Sequence, residues 1–158
     1  MRKLKIYLDT SIISYLHQED APEKTQETRE LWEQFKHRQD IEIIISDLAV
    51  REIYQCKEPK RSLMFNELGQ MHYILIKTTD EEKELANTYL HSGVLKEKSI
   101  DDITHIAIAT LNDCRYIVSW NSKHFVNPKT INAVNLINQS LNLPQISIFS
   151  PSMMLGGF

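Results

Sequence analysis

Short β-favouring runs alternate with segments of helical spacing along the whole chain, and this order restricts the fold more than any other feature. The first run, Lys5-Ile6-Tyr7-Leu8, stops at Asp9; Ile12, Ile13, Tyr15 and Leu16 then follow with helical spacing, capped by Thr10 or Ser11. Further strands are predicted at 41–45, 73–76, 116–119 and 146–149. Helices are predicted at 25–38, from Ser46 through Cys56, at 59–70, from Thr79 to the break at Gly93, at 99–114 and at 128–142. Strand and helix in alternation predict an α/β fold. Its central sheet is mostly parallel, with about five short strands and helices on both faces. No repeat or shift in composition divides the 158 residues, so 1–158 reads as a single domain.

A hydrophobic share of 42% allows a packed core and excludes wholesale disorder. No apolar run approaches the roughly 18–20 residues of a membrane helix. The basic start MRKLKIYLDTS meets Asp9 too soon for a signal peptide, so a soluble, unprocessed, cytoplasmic protein is expected. Cys56 and Cys114 are too few for a disulfide framework and read as reduced thiols on helices. The histidines show no pairing of the kind zinc requires. A net charge of −3 argues against gripping nucleic acid by bulk positive charge. It leaves room for a metal site of concentrated acids with basic residues around it.

Ligands of open parallel sheets gather at the carboxyl ends of the strands, so the polar residues that follow apolar runs carry the functional question. Asp9 follows the first run, where it can cap the next helix or meet a ligand, and Thr10 and Ser11 could support a metal or a water. Glu52 lies beside the apolar stripe of Ala49, Ile53 and Cys56, a costly place for a carboxylate unless it is paired or binds a cation. Asp101 and Asp102 open the 99–114 helix, where the helix dipole favours acids. That helix is apolar nearly all round, so its first turn should open at the interior edge of the sheet. His105, one turn on, reads as a core histidine that could orient a carboxylate or a water. Asn121 follows the fourth strand, where it could also cap a short helix at 122–125.

Asp9, Asn121 and the start of the 99–114 helix map to one sheet edge, and Glu52 can approach from a neighbouring helix. Oxygen donors of this kind suit Mg²⁺ or Mn²⁺. Crowded carboxylates repel, and a divalent ion removes that penalty. The layout suits metal-assisted phosphodiester hydrolysis.

These segments resemble the PIN-domain ribonucleases, in particular the VapC-type toxins of bacterial toxin–antitoxin pairs. YLDTSIISYL is similar to that family's opening strand, acid and helix; LAVREIYQC to the segment with its second acid; SIDDITHIAIATLNDCRYIVSWN to its central helix and following strand; and ISIFSPSMML to its last strand and Ser/Thr-Pro turn. The resemblance covers essentially the whole chain. It implies a PIN-like three-layer fold and a Mg²⁺- or Mn²⁺-dependent endoribonuclease acting on RNA, with a small antitoxin as partner and a homodimeric state. Asp9, Glu52 and Asp102 match the acidic positions and would be metal ligands, with Asp101 a neighbour of the third. Asn121 stands where many members carry Asp, and would support the metal or water shell. Lys57, Lys60, Arg61, Lys96, Lys98, Lys123 and Lys129 are candidates for phosphate contacts.

Two other readings stay open. A catalytically degenerate PIN-like domain would bind RNA or a protein partner, and the amide of Asn121 suits it. A haloacid-dehalogenase-like phosphatase also begins with strand, Asp and Thr. It needs a second Asp two positions after the first, where this chain has Ser11. A dinucleotide-binding fold lacks its glycine-rich loop here.

Overall fold

The computed structural model describes residues 2–93, 100–121 and 125–156. Lys96, Lys98, Ser99 and Lys123, and most of the helix expected at 122–125, lie outside the described residues.

The chain runs β1 (Leu4–Leu8), α1 (Thr10–Ser14), a 3-10 turn (Tyr15–His17), α2 (Pro22–His37), β2 (Ile41–Ser46), α3 (Asp47–Tyr54), α4 (Lys60–Leu68), β3 (Ile74–Ile76), α5 (Asp80–His91), α6 (Ile100–Leu111), β4 (Tyr116–Val118), α7 (Pro128–Ser140), β5 (Ser147–Phe149) and α8 (Pro151–Leu155). The expected alternation is present. Several details differ from the sequence reading. The helix expected at 25–38 starts at Pro22, Asp9 rather than Thr10 or Ser11 caps the first helix, Cys56 and Cys114 sit just past the ends of α3 and α6 rather than on them, and Pro151 opens a short helix. Burial pushes the Cys114 thiol up to about 12, so it is inert at neutral pH.

The five strands form one parallel sheet in the order β3-β2-β1-β4-β5. β1 is central, with Ile6, Tyr7 and Leu8 fully buried, as expected of a strand covered on both faces. The period of two splits it. Ile6 and Leu8 join Ile43, Ile45 and Val118 against α1, α2 and α4, where Ile13, Trp32, Phe35 and Met64 complete one core. Tyr7 faces the other way, with Ile44, Ile117 and Ile148, into a second core filled by Leu85, Ala86 and Tyr89 of α5, by α6, and by Val134 of α7. The sheet is therefore the middle of three layers.

α6 is buried without interruption from Ile103 to Thr110, which accounts for its apolar circumference. Thr79 and Glu82 form the capping box that starts α5. Asp113 and Asn142 take positive φ (60° and 58°) just beyond α6 and α7, where their short side chains tolerate the left-handed region. Among the described residues no helix is long and apolar enough to cross a membrane.

From β1 the chain builds β2 and β3 to one side, then crosses to build β4 and β5 on the other. The topological switch point therefore lies between the carboxyl ends of β1 and β4, where open α/β sheets form their ligand crevice.

Candidate active site

Asp9 leaves β1 at the switch point and is only 5% exposed. Its backbone is extended, and its Oδ1 accepts hydrogen bonds from the Ser11 N–H (3.2 Å) and the Ser11 hydroxyl (2.5 Å). It caps α1, and the same carboxylate reaches across to the neighbouring strand end. There the hydroxyl of Ser119, just after β4 and fully buried, donates to Oδ2 at 2.8 Å. Ser11 Oγ in turn accepts from the Trp120 N–H (2.9 Å), and Ser119 Oγ from the Asn121 N–H (2.9 Å). The two strand ends are thus stitched together through one carboxylate. Asn121 is half-buried, and its carbonyl accepts from Phe125 and Val126 at 2.8 and 3.1 Å.

A second chain of polar groups runs beside the first. Ser46, after β2, caps α3 by accepting from the Ala49 N–H (3.2 Å). Its Oγ lies 2.8 Å from the Tyr7 hydroxyl, which lies 2.5 Å from Nδ1 of His105. Nε2 of His105 lies 2.5 Å from Oε1 of Glu52, which also accepts from the Thr10 hydroxyl (2.8 Å). An ionised Glu52 accepts only, so Nε2 carries the proton toward it. In a neutral imidazole Nδ1 then accepts from the Tyr7 phenol, and Ser46 donates to Tyr7. Burial holds the phenol well above its usual range and the nearby charges of Asp9 and Glu52 add to this, so it remains a donor.

The two carboxylates are tuned in opposite directions. Burial pushes Asp9 up, and the charge of Glu52 adds to this, against the opposing influence of His105, Ser11 and Ser119. Burial also disfavours ionised Glu52, but the hydrogen bond and charge of His105, together with Thr10 and Arg51, hold it below the usual carboxylate range. Asp9 is therefore the group that gains most from a cation.

The structure brings Asp9 and Glu52 within reach of each other's charge and links Glu52 to α6 through His105. Asp102 is half-buried on the first turn of α6, and the helical repeat places it on the His105 side. Asp101 turns to the surface, where it pairs with Arg51 at 3.1 Å. Among the described residues, no three His, Cys, Asp or Glu side chains stand together at metal-ligand spacing. The donor chemistry of Asp9 and Glu52, all oxygen with one carboxylate penalised by burial, fits a hard divalent cation. Of the basic candidates, Lys60 bonds to Gln18, Arg61 to the Tyr54 carbonyl (3.4 Å), and Lys57 and Lys129 are exposed.

No family profile and no curated protein sequence matches the chain. Solved structures do. The Mycobacterium tuberculosis toxin VapC20, a Sarcin-Ricin loop cleaving toxin, superposes with a TM-score of 0.60 at 15% identity, over 75% of this chain and 92% of that one. VapBC2 from Rickettsia felis, bound to a DNA fragment from their promoter, gives 0.54 at 13% identity, over 93% and 98%. The fold is PIN-like and is shared with these two structures. Within this PIN-like fold, Tyr7, Ser119 and the second role of Ser46 are the site residues that sequence reasoning did not single out. A tyrosine in a strand buried on both faces needs a partner for its hydroxyl, and that was the available signal for Tyr7. Ser119 was legible only as the polar end of an apolar run.

Tyr7→Phe leaves Ser46 Oγ and His105 Nδ1 short of a partner, with an expected cost of about 1–3 kcal/mol in urea unfolding. The raised Asp9 gives a pH signature in metal-free protein. Below the ordinary carboxylate value both folded and unfolded states hold the proton. As pH rises above about 4 the unfolded chain ionises first, and native stability falls until the folded carboxyl ionises too. Asp9→Asn removes this loss. Its melting temperature relative to the parent should climb between acid and neutral pH, and a pH-independent difference would contradict the assigned burial penalty.

Proposed function

We propose that the protein is a Mg²⁺- or Mn²⁺-dependent endoribonuclease, acting as the toxin of a toxin–antitoxin pair, cytoplasmic and homodimeric, with a small antitoxin protein as its partner. The observation that carries this reading is the buried Asp9 carboxylate, fixed at the switch point beside a Glu52 kept ionised by His105. The PIN-like fold supports it, since the VapC20 structure it superposes on is that of a Sarcin-Ricin loop cleaving toxin.

In this reading Asp9, Glu52 and Asp102 hold the ion, and the amide oxygen of Asn121 supports its water shell. Bound there, Mg²⁺ or Mn²⁺ would polarise the phosphate and lower the pKa of a water. The protein's own contribution is orientation and charge. Ser11 and Ser119 hold both oxygens of Asp9, so the carboxylate cannot rotate without breaking those hydrogen bonds. His105, fixed by Tyr7, holds Oε1 of Glu52, and among the described residues no hydrogen bond reaches Oε2, the oxygen that this reading leaves for the ion and the attacking water. Glu52 can then take a proton from the attacking water, and His105 can stabilise its charge between turnovers. The apolar body of α6 shields this side of the site from bulk water.

Incubation of purified protein with RNA should give internal cleavage with Mg²⁺ or Mn²⁺ and none with EDTA. Asp9→Asn and Asp102→Asn should each lower the rate by about 100-fold or more, with unchanged circular dichroism. Cleavage that persists in EDTA, or in Asp9→Asn, would defeat this assignment.

A further inference from the structure

Trp120 sits between the candidate active site and an aromatic cleft. Its backbone N–H is held by Ser11 Oγ, the hydroxyl that also binds Asp9. Its indole N–H donates to Thr28 Oγ1 (2.7 Å), and the Thr28 hydroxyl donates to the Lys24 carbonyl (2.5 Å), so the ring is locked to the first turns of α2. Tyr15, in the turn after α1, inclines toward it with ring centroids 5.8 Å apart and planes at 43°. The ammonium of Lys24 lies over both rings, 5.6 Å from the Tyr15 centroid and 5.4 Å from that of Trp120. Lys24 is exposed and both rings are half-buried.

Trp120 packs in part against the core, yet both rings keep part of their surface accessible, and among the described residues a solvent-exposed cation lies over the two of them. An exposed cation–π contact is worth little, about 0.5–1 kcal/mol, so the lysine is easily displaced. Two π-faces and one mobile positive charge are what an unpaired nucleotide needs: a base stacks on the rings and the phosphate takes the ammonium.

We propose that Tyr15, Trp120 and Lys24 form a nucleotide subsite beside the catalytic pocket, which takes one unpaired base of a single-stranded RNA. This rests on the RNA reading above. The base replaces the ammonium over Tyr15 and Trp120, and Lys24 swings to the adjoining phosphate. The subsite favours unpaired RNA, because a base within a duplex must first give up its pairing and stacking.

The test uses an Asp9→Asn background in Mg²⁺, where the RNA stays intact, with single-stranded hexa-adenylate as the probe. Trp32, the other of the two tryptophans, is 2% exposed, so a change in indole emission on RNA addition reports Trp120. The expected results are quenching by the single strand and not by duplex RNA. Binding followed by anisotropy should weaken about five-fold or more in Tyr15→Ala and recover in Tyr15→Phe. Lys24→Gln should reduce the salt dependence by about one phosphate contact, a slope change of about 0.7. Absence of binding, equal quenching by duplex, or a Tyr15→Ala protein that binds like the parent would each overturn the subsite. Metal-dependent cleavage by the parent alongside any of those outcomes would leave the nuclease reading standing. Quenching that follows the expected pattern with no cleavage by the parent would remove the nuclease reading and leave the subsite.

Discussion

A carboxylate buried where two parallel strands end is the constraint on which the rest depends. Water no longer solvates Asp9, so ionisation has to be compensated locally. Ser11 from its own helix and Ser119 from the neighbouring strand do part of this, and they pin the ends of β1 and β4 while doing so. What they leave uncompensated is visible as a carboxyl held above its usual range. The same residue therefore serves the fold as a helix cap and opposes it as a buried charge. Conflict of that kind is common at functional sites, where stability gives way to chemistry.

The second polar chain shows how the layers cooperate. Tyr7 is aimed at the α6 layer because strand side chains alternate, and it meets His105 there because α6 is buried along nearly its full length. His105 then reaches Glu52 on α3, an element that Leu48 anchors in one core and Ala49 and Ile53 in the other. One strand, two helices and the cap of a third element converge on a single glutamate. Any slip of register between sheet and α6 would break the Tyr7–His105 contact and leave buried polar groups unpaired, so the network also specifies the packing.

The likeness to VapC20 and VapBC2 at 15% and 13% identity shows how little sequence this architecture demands. In this chain the fold is carried by an order of short apolar runs, a helix buried from Ile103 to Thr110, and polar residues at the strand ends. The aromatic cleft of Tyr15, Trp120 and Lys24 is a property of this chain's own side chains. It shares its anchor, Ser11 Oγ, with the candidate Asp9, so the Trp120 backbone and the Asp9 carboxylate are coupled through one hydroxyl.

The sequence by itself determined the element order, the parallel sheet, the caps at Ser46 and Thr79, and Asp9 as an acid at a strand end. These follow from local periodicity and from cap and turn chemistry, which act between residues close in the chain. Tertiary structure alone decided the partners. On position alone Glu52 read more readily as a surface residue or an ion pair with Arg or Lys than as a site residue, and it was His105, 53 residues away, that took it. His105 proved to be a core histidine and the orienter of a carboxylate together, because burial and hydrogen bonding are set by different neighbours. Asp101 and Asp102 share the same local setting at a helix start, where only the family resemblance favoured Asp102; the step of about 100° between them sends Asp101 to Arg51 at the surface and Asp102 to the His105 side. Ser119 gained its role only from strand adjacency, β1 against β4, and Tyr7 from β2 beside it and α6 packed over the sheet; no local pattern encodes either.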